Sequence, residues 1–201
     1  MNPRLPAFLA RCVADVYPES PSELHTELTA RQARDFAAKL APGALVLDVG
    51  CGQGPAMRWF VDHGFCPLGI GLGADVEVCV AAGLQVIACD QNEMLDDWDR
   101  RFDAVWARHV AEHSPIPFFT LTEFFRVLKP GGWLYLEMPA PDTVARHSHN
   151  QNHYSVLTPA MWSSLLLRAG FIGAETYTSI NINLAIGPDL YFAFTVQKPK
   201  L

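Results

Sequence analysis

No apolar run in this 201-residue chain approaches the roughly 18 residues of a membrane span, so no membrane-crossing segment is expected. Long basic runs are also missing, and the formal net charge is −6. Nucleic acid as the main partner is therefore not expected, because phosphate binding needs clustered Lys and Arg. The five cysteines (Cys12, Cys51, Cys66, Cys79, Cys89) include no CxxC pair. An odd, scattered set points to reduced thiols and a cytoplasmic setting. The opening "MNPRLPAFLARCVADVYPES" carries prolines and acids around a short apolar patch, unlike a secretory leader. Internal repeats and low-complexity linkers are lacking as well.

What is present is core-forming material: half the residues are hydrophobic. The length suits one α/β domain with a short decoration. Residues 1–40 read as an N-terminal helical cap and residues 41–201 as the main domain. In the cap, "TARQARDFAAKL" (residues 29–40) has helical apolar spacing and stops at "APG". Strand and helix patterns then alternate. "ALVLDVG", "CPLGIGL", "LQVIACD", "RFDAVWAR" and "WLYLEMP" read as five strands. "PAMRWFVDHG", "ADVEVCVAAG", "PFFTLTEFFRVL" and "TPAMWSSLLLRAG" read as helices. "AETYTSINI" and "DLYFAFTVQ" read as a closing antiparallel pair. The expected fold is α/β and doubly wound. Its seven-stranded sheet is mostly parallel, with an antiparallel last strand. Ligands of such sheets sit beyond the carboxyl ends of the strands, which directs attention to the loops after Val49, Ile70, Cys89, Ala107 and Met138. Phe118, Phe119, Phe124 and Phe125, at helical spacing, are expected in the core. Trp59, Trp98 and Trp133 are expected to pack, and Trp106 to lie within the sheet.

The first of those loops is "VLDVGCGQGP" (residues 46–55). A dinucleotide fingerprint, GxGxxG, fits Gly50 and Gly52 but meets Pro55 where the third glycine belongs. The third glycine comes one residue early, at Gly54, and Asp48 precedes Gly50 by two. Such a loop suits a ligand laid against bare backbone, with no pyrophosphate to place on the helix end. Asp48 is placed to engage an ammonium.

With "VLDVGCGQG", "ACDQ", "FDAVWARHVAEH", "RVLKPGGWLYLEMP" and "LLLRAGF" in order, the chain resembles the class I S-adenosylmethionine (SAM)-dependent methyltransferases, especially the type 11 group. The resemblance covers residues 40–175 and implies a Rossmann-like methyltransferase fold with SAM as cofactor. It implies that Asp48, Gly50, Cys51, Gly52 and Gly54 hold the methionyl part and that Asp90 with Gln91 meets the adenine. Backbone around residues 107–109, including Arg108 and His109, would line the methionyl end. One departure stands out. The family carries an acid at the tip of the second strand for the ribose hydroxyls, and "LGIGLGADVEV" puts Gly71, followed by Leu72, in that place. A replacement contact, a different register or a degenerate cofactor site would each explain it. Asp75 is the nearest replacement, which is the favoured reading.

The histidines leave more than one use open. "HVAEH" (residues 109–113) matches the HxxEH pattern of inverted zinc proteases, which needs a helix. Here a strand leads in, and Pro115 and Pro117 follow, so a helix is not expected. "RHSHNQNHYS" (residues 146–155) holds His147, His149 and His153 in the loop after the fifth strand. Together with His113 they are the candidate catalytic residues, as a general base or as substrate-binding groups. Loop packing and ligation of zinc or iron are the other uses; no metal site is assigned. Glu137 either touches the acceptor or is structural.

The expected function is SAM-dependent methyl transfer to a small-molecule acceptor, entered under the N-terminal helices and the loop of residues 139–155. A homodimer is a possible assembly. Two rivals stand beside it. One is a methyltransferase-fold protein that binds a ligand or partner without transfer, motivated by Gly71. The other is a SAM/metal enzyme with non-methylating chemistry, motivated by the histidines. A NAD-linked oxidoreductase is disfavoured by Pro55 and Gly71.

Overall fold

The computed structural model describes residues 4–14 and 22–200. Two helices, α1 (Arg4–Ala14) and α2 (Glu23–Ala37), precede the sheet. Then follow β1 (Leu45–Val49), α3 (Pro55–Asp62), β2 (Cys66–Gly71), α4 (Ala74–Ala81), β3 (Val86–Ala88) and β4 (Phe102–Arg108). The chain continues with α5 (Pro117–Val127), β5 (Leu128–Pro139), α6 (Pro159–Ala169), β6 (Thr178–Leu184) and β7 (Gly187–Gln197). The sheet order is β3-β2-β1-β4-β5-β7-β6. Strands β1 to β5 pair in parallel, and β7 runs antiparallel to both β5 and β6. The seven-stranded sheet with a reversed last strand is the one expected from the sequence.

Local chemistry explains the element ends. The Ser22 hydroxyl caps α2 by accepting from the His25 amide at 3.2 Å. That cap starts the helix at Glu23, well before residue 29, where the apolar spacing begins. Pro55, Pro117 and Pro159 each stand in the first turn of a helix, where no amide proton is needed. Thr158 caps α6 at its start, and Gly170 ends it in a left-handed conformation.

Side chains alternate across the strands and build two core layers. Leu47, Val49, Val105 and Leu136 face α5 and α6 through Leu121, Phe124, Trp162 and Leu166. Val46, Ala104, Trp106 and Tyr135 face α2 and α3 through Ala33, Phe36, Ala56 and Phe60. Trp106 lies stacked on Tyr135 with ring centroids 4.2 Å apart, buried in the sheet as expected. Trp98 is buried too. Phe118 and Phe119 are a correction: they are 44% and 46% exposed. The buried stripe of α5 is Thr120, Leu121, Phe124 and Val127, and the first-turn pair falls outside it.

Strand order reverses between β1 and β4. The loops leaving these two strands therefore diverge to opposite sides and leave a crevice at their carboxyl ends. Among the described residues, no helix is long and apolar enough to cross a membrane.

Candidate active site

A pocket of about 460 Å3 occupies that crevice, within the range of small-molecule and cofactor sites. Its floor is the turn after β1, with Gly50, Cys51 and Gly52. Gly71, Leu72 and Asp75 form one wall, continued by Asp90, Gln91 and Asn92. Arg108, His109, Val110 and His113 form the other wall. Leu9, Cys12 and Val13 of α1 and His25, Thr26 and Thr29 of α2 close it from above, with Asn152 and Tyr154 at one end.

The floor needs glycine for a steric reason. Gly50 has φ +67°, and a Cβ there would lie 2.6 Å from Val110 Cγ2. The two loops of the crevice thus meet at a point where only a hydrogen fits. Gly54 starts α3 and sits against Leu84 rather than in the pocket. Asp48 lies beneath the floor, 2% exposed, with Oδ2 buried and without a hydrogen-bond partner. Burial pushes its carboxyl up to about 8. Gly71 is unlike Gly50: a Cβ there would meet Cys51 Sγ at 3.5 Å, an ordinary contact. The backbone and its neighbours leave room for a Cβ at that position. Asp75, in the first turn of α4, accepts a 3.1 Å hydrogen bond from Gln53 Nε2 and reaches the same wall. Asp90 Oδ1 accepts from the Asn92 amide at 2.8 Å, and Gln91 Nε2 donates to the Val110 carbonyl at 2.9 Å.

The far wall rests on a buried charge network that the sequence does not reveal. Arg108 Nε donates to Glu137 Oε1 at 2.8 Å, and His109 Nε2 to the same oxygen at 2.9 Å. The Tyr135 hydroxyl donates to Oε2. Burial alone would raise Glu137, but the His109 bond and the Arg108 charge hold it down at about 2. His109 is kept neutral, near 4, by burial and by Arg108. Arg108 also reaches α2, with Thr29 Oγ1 at 3.2 Å and His25 Nδ1 at 3.5 Å. The alternative left open for Glu137 is resolved toward structure: it is fully buried and does not line the pocket.

Of the four candidate catalytic histidines, His113 alone lines the pocket. Its Nδ1 donates to the Asn152 carbonyl at 3.0 Å. His153 packs edge-on against it at 4.8 Å between ring centroids, and His147 stacks on His153 at 5.8 Å. His147 pairs with buried Asp189 at 2.9 Å, and His149 is exposed. Burial, then the neighbouring His113 and His147, lower His153 to about 4. The N-terminal helices cover the pocket as the sequence led one to expect, whereas the polar cluster of Asn92, Ser114 and Thr120 carries no signal in the sequence. The "PSELH" cap signal at residues 21–25 was available for α2.

These shifts set a stability optimum. His109 and His153 take up protons near 6.5 when unfolded but only near 4 when folded. Their contribution is complete above pH 6.5 and is lost as pH falls toward 4. Asp48 acts oppositely, since its folded value of about 8 lies above the ordinary 3.8. Its proton is retained on folding, so stability falls as pH rises from 4 to 8. Two opposing protons below 6.5 and one above it place the maximum near pH 6.5. Thermal unfolding between pH 4.5 and 8 checks this; a midpoint still rising at pH 8 would contradict a neutral Asp48.

A family model described as a methyltransferase domain matches residues 23–172. The chain belongs to that family, the SAM-dependent methyltransferases of class I fold. It is 31% identical over 170 residues to the probable tRNA methyltransferase 9B of Bos taurus, covering 81% of this chain and 37% of that protein. It is 36% identical over 101 residues to the 2-methyl-6-phytyl-1,4-hydroquinone methyltransferase of Synechocystis sp., covering 47% of this chain and 32% of that one. The chain thus spans well under half the length of these curated relatives. A solved SAM-dependent methyltransferase from Archaeoglobus fulgidus superposes with a TM-score of 0.71 at 20% identity, covering 86% of this chain and 94% of that one. The pocket fits the cofactor chemically. It offers bare backbone at Gly50 and Gly52, and a buried Asp48 oxygen below them that no protein group satisfies.

Proposed function

We propose that this chain transfers a methyl group from SAM to a small-molecule acceptor. The roofed pocket carries the reading: α1 and α2 cover one side of it, and the charge they cover is not basic. Asp75 and Asp90 face the pocket, and Arg108 on the opposite wall is already paired with Glu137. A tRNA acceptor, as named for the bovine relative, would call for clustered Lys and Arg.

In this reading the Gly50–Gly54 turn carries the methionyl part, and Asp48 receives the ammonium. Asp90 and Gln91 meet the adenine, and the backbone of Arg108 and His109 lines the methionyl end. The roof of helices, part of the 1–40 cap, covers the acceptor; residues 1–3 and 15–21 of that cap lie outside the described residues. Bound SAM supplies an electrophilic methyl on a sulfonium. The chain's work is to align the acceptor's lone pair with that methyl and to exclude water. The electron pair of the broken C–S bond stays on sulfur. Where the acceptor atom carries a proton, His113 is the base: its Nδ1–H is held by Asn152, which leaves Nε2 as the basic nitrogen.

Gly71 is compensated by Asp75, which Gln53 holds at the pocket wall. The test is calorimetric titration with S-adenosylhomocysteine. Micromolar binding is expected. Asp75→Asn should weaken it about tenfold, or 1.4 kcal/mol, and adding Gly71→Asp to that variant should restore it, since a Cβ fits at residue 71. Unchanged affinity in Asp75→Asn would remove Asp75 from the site. An absence of binding up to millimolar concentration would sink the methyltransferase reading and leave a binding protein of the same fold.

A further inference from the structure

We propose that Glu112, His113 and His153 form a binding site for one divalent transition-metal ion at the acceptor end of the pocket. One ligand atom from each residue lies within 4.8 Å of the other two. Bonds of roughly 2.0–2.2 Å to one ion bring ligand atoms to about 3–3.5 Å from each other. Small rotations of three side chains close that gap.

The three residues come from two segments that hydrogen bonds already join. Glu112 and His113 lie on the short turn Ala111–His113 after β4. His153 lies on the loop before α6. The Ser155 amide donates to the Glu112 carbonyl at 2.9 Å, and the Ser155 hydroxyl to the Ser114 carbonyl at 2.6 Å. His113 Nδ1 completes the seam with the Asn152 carbonyl at 3.0 Å. The ligand groups are therefore held together before any ion arrives.

Three further features fit a metal. A ligating histidine characteristically donates its other ring N–H to a carbonyl or carboxylate, which fixes the tautomer; His113 does this. His153 Nδ1 is buried and has no hydrogen-bond partner. Glu112 is 2% exposed, so an ion held there would be shielded from bulk water and more strongly attracted to the carboxylate. Two imidazoles and one carboxylate suit zinc or ferrous iron and leave coordination positions open. Those positions adjoin the pocket, because His113 lines it.

This set differs from the protease-like HxxEH pattern. His109, the first histidine of that pattern, has φ +54° and is bound to Glu137. The third ligand comes instead from His153, forty residues beyond His113. With the ion bound, His113 Nε2 is a ligand, and the ion replaces it as the group that draws an acceptor oxygen toward deprotonation; that role rests on the methyl-transfer reading. The existence of the site does not.

The experiment uses the full chain, stripped with chelator and dialysed. Zinc titration by calorimetry should give one site with micromolar or tighter affinity. His153→Ala and Glu112→Gln should each weaken it a hundredfold or more, while His63→Ala, on the exposed end of α3, should not change it. S-adenosylhomocysteine titration of the same samples reports separately on the cofactor site. Cobalt(II) absorption of the unaltered protein supplies a readout free of folding effects in variants. An N/O-coordinated spectrum is expected. A thiolate-to-cobalt charge-transfer band would put the ion on cysteine and overturn the assignment. So would the lack of a stoichiometric zinc site, or its retention in both ligand variants.

Discussion

Glu137→Ala is expected to destabilise the protein by about 3–5 kcal/mol, lowering the thermal midpoint by roughly 10 °C. Glu137 is fully buried and accepts from Arg108, His109 and Tyr135. Removing it leaves the Arg108 guanidinium buried, with hydrogen-bond contacts to Thr29 and His25 among the described residues. The loss comes mainly from that stranded charge rather than from the net worth of the pair, which buried ion pairs rarely show. A second substitution, Arg108→Met, should therefore recover part of it. Since Glu137 is held near 2, below its ordinary 4.5, its contribution is present above pH 4.5 and disappears only toward pH 2. Urea unfolding at pH 7 measures the effect. A change below 1 kcal/mol in Glu137→Ala would show that the network carries little.

Asp48→Asn should act in two directions at once. At pH 8 the unfolded chain carries an ionised Asp48, while the folded, ligand-free protein resists that charge. Asparagine removes the mismatch and should stabilise the ligand-free protein by about 5 kcal/mol at that pH. The gain should shrink as pH falls and vanish near pH 4. The same change removes the carboxylate assigned to the cofactor's ammonium, so S-adenosylhomocysteine affinity should fall at least tenfold. Stabilisation joined to weaker binding is the usual exchange between an active site and the fold around it. A destabilised variant with unchanged affinity would make Asp48 a structural residue.

Strands were the most legible part of the fold, because five buried runs alternate with helix-length patterns and leave few topologies. The glycine turn was legible too: Gly50 and Gly52 line the pocket, while Gly54 starts α3 against Leu84. What escaped was long-range. Nothing in "WARHV" or "LEMPA" announces that Arg108 and Glu137 face each other; only the β4–β5 register aligns them. Helix patterning also placed Phe118 and Phe119 inside, although the first turn of α5 lies outside the buried stripe. The histidines were visible as a cluster in the chain, yet their partition depends on contacts far apart in sequence. His147 pairs with Asp189, His149 faces solvent, and His153 meets His113.

Helix α2 divides into two halves of unequal attachment. Its second half is anchored by Ala33 and Phe36 in the core, while its first turns, residues 23–28, are exposed or half-buried. Over the pocket those turns are fastened to the sheet through His25, which lies 3.5 Å from Arg108 and edge-on to the His109 and Tyr191 rings, while Arg108 reaches buried Thr29 just beyond them at 3.2 Å. Weakly buried ends of this kind open far more readily than the whole molecule unfolds. The first half is thus the part of the roof that local unfolding would release first, with the Phe36 end as its anchor.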